Sequence, residues 1–157
     1  MPTPEFIVAL REKIGHDLLW LPAVTGVVVD DADRLLLVQR ADNLTWTHVT
    51  GFLDPGEDPA AGVVREVLEE TGVSVEVQRV LAVESTAPGR FPNGDETACL
   101  DVAFVCRPIG GVAHVNDDES VDVRWYPIEE LPDLPERHEA CVQRYLDGLE
   151  RAWFAKP

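Results

Sequence analysis

Residues 51–73, GFLDPGEDPAAGVVREVLEETGV, leave the backbone few local choices. Asp54-Pro55-Gly56-Glu57 puts proline and glycine at the two central positions of a turn, the pattern of type II, with Gly56 at positive φ. Asp58-Pro59 reads as a helix start, an acceptor side chain before a proline at the first helical position, and Gly72 as the stop. At about 100° per residue, Ala60, Val64, Val67, Leu68 and Thr71 gather on one face of that helix, and Glu66, Glu69 and Glu70 on the opposite one. With Glu57 folded back by the turn, four glutamates fall within fourteen residues.

Like charges at i, i+3 and i+4 destabilise a helix by a few tenths of a kcal/mol per pair, and Arg65 offsets only part of this through Glu69. A solvated acidic face requires neither the tight turn nor the arginine nor the paired glutamates. A hard divalent cation accounts for all of them, since Mg²⁺ or Mn²⁺ takes oxygen ligands and relieves the repulsion. No EF-hand loop is present, which argues against calcium in that setting.

The rest of the chain frames this segment. With 157 residues and 45% hydrophobic content, one domain over residues 1–157 is expected. The formal net charge of −16 disfavours long nucleic acids and anionic membranes, which are bound through basic clusters. It allows a small phosphorylated ligand bridged by a cation. Cys99, Cys106 and Cys141 are odd in number and lack CxxC spacing, so they read as reduced thiols of a cytoplasmic protein. Neither a bilayer-spanning run nor a signal peptide is evident.

Phe6, Ile7, Leu10 and Ile14 at helical spacing predict an opening helix over about 4–16, and Cys141, Val142, Tyr145, Leu149 and Ala152 a closing one over about 135–153. Strands are expected at 24–29 and 35–39 as a hairpin through DDADR, at 75–84 and 98–106, and at 121–126. TAPGRFPNGDET lies between the second pair as a loop open to function. Strands interspersed with helices predict an α/β or α+β domain, a mixed sheet packed between helices.

Gly51, Glu57 and the run Arg65-Glu66-Val67-x-Glu69-Glu70-x-Gly72-Val73 resemble the complete Nudix box of the Nudix hydrolase family, with no signature position missing. Weaker likeness extends from LLLVQR to WYPIEELP. The resemblance implies the Nudix fold, a mixed β-sheet in an α/β/α sandwich, a divalent metal, and hydrolysis of a pyrophosphate bond in a nucleoside diphosphate derivative. Carried over residue by residue, it makes Glu66, Glu69 and Glu70 metal ligands, Glu57 an accessory ligand, Gly51 a carbonyl donor, and Arg65 the residue that orients the glutamates. The general base is a box glutamate or a later loop acid, here Glu119 or Asp118.

Substrate choice lies outside the box. Trp46 stands where family members often have an aromatic before Pro-Gly-Gly, but this chain reads THVTG. Pro88, Arg90 and Phe91 are loop candidates for substrate contact, with Arg40 or Arg90 as phosphate helpers. His16, His48, His114 and His138 read as surface or packing residues, and Trp20, Trp125 and Trp153 as core or interface. With only two lysines, Lys13 and Lys156, two-phosphate substrates such as ADP-ribose are expected ahead of long polyphosphates. (Deoxy)nucleoside triphosphates, in a house-cleaning role, are the alternative. A non-catalytic Nudix-fold sensor is disfavoured by the intact box, and an isopentenyl diphosphate isomerase by the lack of a cysteine before it. The partners implied are a small nucleotide and, as an open assembly, a second copy of the chain; no organic cofactor is implied.

Overall fold

A computed structural model describes residues 4–91 and 93–156; the ends of the expected domain, residues 1–3 and 157, lie outside the described residues. The order is α1 (Glu5–Ile14), β1 (Leu19–Val28), β2 (Arg34–Arg40), β3 (Trp46–Thr47), β4 (Val49–Phe52), α2 (Pro59–Thr71), β5 (Val73–Ser85), β6 (Gly89–Arg90), β7 (Glu96–Gly111), β8 (Ser120–Pro127), a 3₁₀ turn (Ile128–Glu130) and α3 (Glu136–Leu146). One sheet runs β4-β1-β7-β5, with β6 added against β7, and a second runs β3-β2-β8. β1 and β7 are parallel, while β5 and β7 pair antiparallel along nearly their whole length.

Side chains alternate across a strand, and that alternation sorts the core into two halves. Val24 and Val28 of β1 join Leu36 and Val38 of β2 beneath Val63 and Val67 of α2. The intervening Val27, Leu35 and Leu37 meet Cys141 and Val142 of α3. The strands are covered on both faces, which is why β2 reads as an unbroken apolar run. This is the expected mixed sheet between helices.

Several details differ from expectation. β1 and β2 do not form an extended hairpin: the DDADR turn is closed by one bridge, Val29–Leu35, after which the strands part into different sheets. The closing helix ends at Leu146, well short of 153, with Gly148 at φ 65° just beyond. The chain then turns back so that Trp153 donates to the Leu81 carbonyl at 2.8 Å and accepts from Val83 at 3.0 Å. The opening helix spans 5–14, and of its expected apolar stripe only Ile7 is buried. Trp20 is 57% exposed and so is not core, whereas Trp125 and Trp153 pack against the two core clusters. The three cysteines are free. No helix among the described residues is long and apolar enough to cross a membrane.

Candidate active site

The turn before α2 forms as its sequence dictates: Gly56 takes φ 86° and the Glu57 amide donates to the Asp54 carbonyl at 2.9 Å. Asp58 makes no side-chain capping bond, so the helix start rests on Pro59 and on the Asp58 carbonyl, which accepts from Ala61 and Gly62. The faces of α2 are not those expected. Gly62, Val63, Glu66, Val67, Glu70 and Thr71 are its buried residues, while Ala60 and Leu68 are exposed. The helix is rotated by roughly one residue's turn, ~100°, and this turns Glu66 and Glu70 inward, to 5% and 6% exposure. They are not a solvated acidic face.

Two features admit carboxylates there. Gly51 on β4 leaves the space that Glu66 fills, since a Cβ on Gly51 would lie 2.0 Å from Glu66 Cδ. The loop after β7 closes over the C-terminal end of α2, where helix carbonyls lack intrahelical partners. His114 and Asn116 donate backbone amides to the carbonyls of Thr71 (3.0 Å) and Glu70 (3.2 Å), and Asn116 Nδ2 reaches the Leu68 carbonyl at 3.2 Å. So pinned, the loop brings Asp117 and Glu119 beside the helix. The Glu119 carbonyl accepts from Ala41 at 2.7 Å, which ties it to the end of β2 next to Arg40.

Arg65 is the hub. Its Nε and Nη2 grip Glu57 as a fork, both at 2.8 Å; Nη1 donates to Glu66 Oε1 at 2.8 Å and Glu69 Oε2 at 3.1 Å, and Nη2 also to the Phe52 carbonyl at 3.2 Å. The fork holds the Glu57 carboxyl below the usual carboxylate range. The opposite holds deeper in. Burial pushes Glu66 up to about 7 against the pull of Arg65, and it pushes Glu70 up to about 9, with Glu66, Asp117 and Glu119 adding repulsion. Among the described residues, no three His, Cys, Asp or Glu side chains already form a ligand set. The donor chemistry nevertheless fits a hard divalent cation: the oxygens are carboxylate, two of the carboxylates are buried, and Arg65 takes one oxygen each of Glu66 and Glu69, leaving the other to coordinate.

Glu66, Gly51 and Glu119 lie on the wall of a cavity of about 340 Å³ that runs from the acidic end across β1 and β7. The opposite wall includes Arg137 of α3, Asp101 and Cys99 of β7, and Ile7 and Arg11 of α1. Phe91 and Arg40 also line the cavity, whereas Pro88 and Arg90 are exposed and off its wall, as is Asp118. Arg11, Asp101 and Arg137 were not evident from sequence, because each makes a contact to a residue far along the chain: Arg11 to Glu96, Asp101 to Thr25 and Arg137 to Thr25. Arg11 staples α1 to the domain by donating to the carbonyls of Gly15, Asp17 and Glu96. His48 and His138 are packing histidines, both buried, their ring centroids 5.5 Å apart.

A scan against protein-family models matches a NUDIX domain over residues 20–146. The chain belongs to the Nudix hydrolase family. It is 38% identical over 131 residues to a "MutT-like protein" of Streptomyces ambofaciens, covering 83% of this chain and 77% of that one. It is 32% identical over 145 residues to an "ADP-ribose pyrophosphatase" of Methanocaldococcus jannaschii, covering 89% and 82%. The structure of a "UDP-X diphosphatase" superposes with TM-score 0.67 at 22% identity over 94% of this chain and 73% of that one, a likeness of fold. The Nudix match begins after α1, so the helix that walls the cavity on one side lies outside it.

Proposed function

We propose that this Nudix hydrolase cleaves the pyrophosphate bond of a nucleoside diphosphate derivative such as ADP-ribose, with a divalent cation, Mg²⁺ or Mn²⁺, held at the acidic end of the cavity. The observation that carries the reading is the burial of Glu66 and Glu70 beside Gly51, with Arg65 forked to the surrounding carboxylates. Glu66, Glu69 and Glu70 would ligate the cation, with Glu57 and the Gly51 carbonyl as accessory donors. Bound there, it would supply the positive charge that an attack on an anionic phosphate needs.

The residues themselves do the positioning. Arg65 spends its donors on glutamates and a carbonyl, so it orients the carboxylates and does not meet substrate. Glu119 is held at the cavity wall by its backbone, where its carboxylate can accept a proton from an attacking water. The walls formed by α1 and α3 keep the organic moieties out of bulk solvent.

Charge supports the two-phosphate preference. Each arginine on the cavity wall already faces an acid: Arg11 with Asp95 at 3.5 Å, Arg40 with Asp42 at 2.7 Å, Arg137 with Asp101 at 3.2 Å. Little cationic charge is left over for a long polyphosphate in a protein at −16. The likeness to the Methanocaldococcus jannaschii protein points the same way. The test is kcat/KM across ADP-ribose, NADH, diadenosine polyphosphates and normal or oxidised nucleoside triphosphates at fixed Mg²⁺. ADP-ribose is expected to lead; a clear lead for the dinucleoside polyphosphates would contradict the charge argument, and one for triphosphates would favour the house-cleaning alternative.

A further inference from the structure

At the end of the cavity away from the box, three elements contribute one polar cluster. Asp101 of β7 and Thr25 of β1 are buried, at 1% and 0% exposure. Thr25 Oγ1 donates to both Asp101 oxygens at 3.0 Å and accepts from Arg137 Nη2, which also lies 3.2 Å from Asp101 Oδ2. The Arg137 side chain keeps 32% of its exposure and lines the cavity, and its Nε is buried without a partner. Gly51 pairs with Val24, and Asp101 with the adjacent Ala23 across β1. Asp101 therefore stands two strands, roughly 10 Å, from Gly51, with Thr25 on the strand between them.

A purely structural ion pair is the plainer account, but α3 does not need it. Cys141 and Val142 sit in the core, Arg144 grips Glu84 at 2.6 Å, and His138 packs on His48. A buried carboxylate is costly without a partner, and here the partner, Arg137, is itself a residue of the cavity wall and keeps part of its side chain exposed.

We propose that Arg137 is a substrate-contacting residue. It donates to a neutral hydrogen-bond acceptor, a nucleobase edge or a sugar hydroxyl, on the part of the substrate farthest from the scissile bond, and Asp101 and Thr25 are positioning residues that hold the guanidinium in place. The acceptor is neutral because Asp101 already balances the arginine, so a further phosphate there would meet a buried carboxylate as well as a cation. Phe91 lines the same cavity. The assignment rests on the pyrophosphohydrolase reading given above.

The test measures kcat, KM and direct binding for wild type, Arg137→Ala, Arg137→Lys, Asp101→Asn and the double variant Arg137→Ala/Asp101→Asn. Arg137→Ala should raise KM for ADP-ribose, and weaken its binding, roughly 10- to 100-fold, the range for a charge-assisted hydrogen bond, with kcat changed by less than about threefold. Arg137→Lys should recover part of the loss. Asp101→Asn should raise KM in the same sense but add little in the Arg137→Ala background, because the two act as a unit. IDP-ribose and ADP-glucose separate the sources: a penalty that changes with the first assigns the base edge, and one that changes with the second assigns the sugar. Unchanged KM and binding in Arg137→Ala overturn the assignment, as does a penalty that grows with phosphate number. Wild type without turnover on any substrate would instead overturn the hydrolase reading, while the binding arm still reads the contact.

Discussion

The two ends of the cavity handle charge in opposite ways. At the far end each basic group has an acid, Arg137 with Asp101 and Arg11 with Asp95. At the box end Glu57, Glu66, Glu69, Glu70 and Glu119 share the neighbourhood with Arg65 and Arg40, and Arg40 is already committed to Asp42. A fold gains nothing by burying unbalanced carboxylates, since the burial disfavours their charged form. On the proposed reading, the paired end positions the substrate and the crowded end holds a divalent cation.

Breaking the crowded end should have the largest effect. Glu70→Gln is expected to remove most Mg²⁺-dependent turnover, while the metal-free protein melts no lower than wild type, because a neutral amide relieves the burial of charge. Thermal melts in EDTA beside steady-state assays read both. A variant that loses activity only by unfolding would argue that Glu70 is structural.

Glu119→Gln tests whether the loop acid serves as base. A fall in kcat of roughly 10²- to 10⁴-fold with little change in metal affinity is expected. A kcat near wild type would return the role to a box glutamate.

Gly51→Ala probes the space between strand and helix. The added Cβ collides with the Glu66 carboxylate, so the side chain or β4 must shift, at a cost of about 1–3 kcal/mol. Weaker metal binding and a lower melting temperature should appear together. Normal metal affinity would show that Glu66 has more freedom than its burial suggests.

The smallest effect is expected away from the cavity. Burial holds the His48 ring neutral, lowering it from 6.5 to about 4, and lowers His138 further. The unfolded chain takes up protons below about 6.5 that the folded protein refuses. This pair's contribution to stability is therefore complete above that pH and falls as pH falls toward about 4. Each ring contributes a slope of at most ~1.4 kcal/mol per pH unit. Denaturant melts between the two values should show a shallower slope in His48→Gln than in wild type; parallel slopes would mean that the His48 ring adds nothing to the pH dependence.

What could be read from sequence was local. The type II turn, the Pro59 start and the Gly72 stop involve neighbours within four residues, and each formed. The strands at 24–29, 35–39, 75–84, 98–106 and 121–126 carry enough β-branched and aliphatic residues to declare themselves. The inward turn of Glu66 and Glu70 was not readable from the helix alone, because apolar spacing favoured the face containing Leu68. What overrides it is tertiary: the opening at Gly51 and the loop pinned by His114 and Asn116. The far end was invisible for the same reason, since Thr25, Asp101 and Arg137 meet only after β1, β7 and α3 have packed. β3 and β4 were missed because they are two and four residues long, too short for a period to show.

The buried carboxylates around Gly51 are proposed to hold a divalent cation. Mn²⁺ titrated into the substrate-free protein and followed by electron paramagnetic resonance tests it without reference to turnover. Wild type should take up Mn²⁺, displaceable by Mg²⁺, with binding lost or strongly weakened in Glu66→Gln and in Glu70→Gln and retained in Arg137→Ala. Equal Mn²⁺ binding by wild type and both glutamine variants would contradict the account.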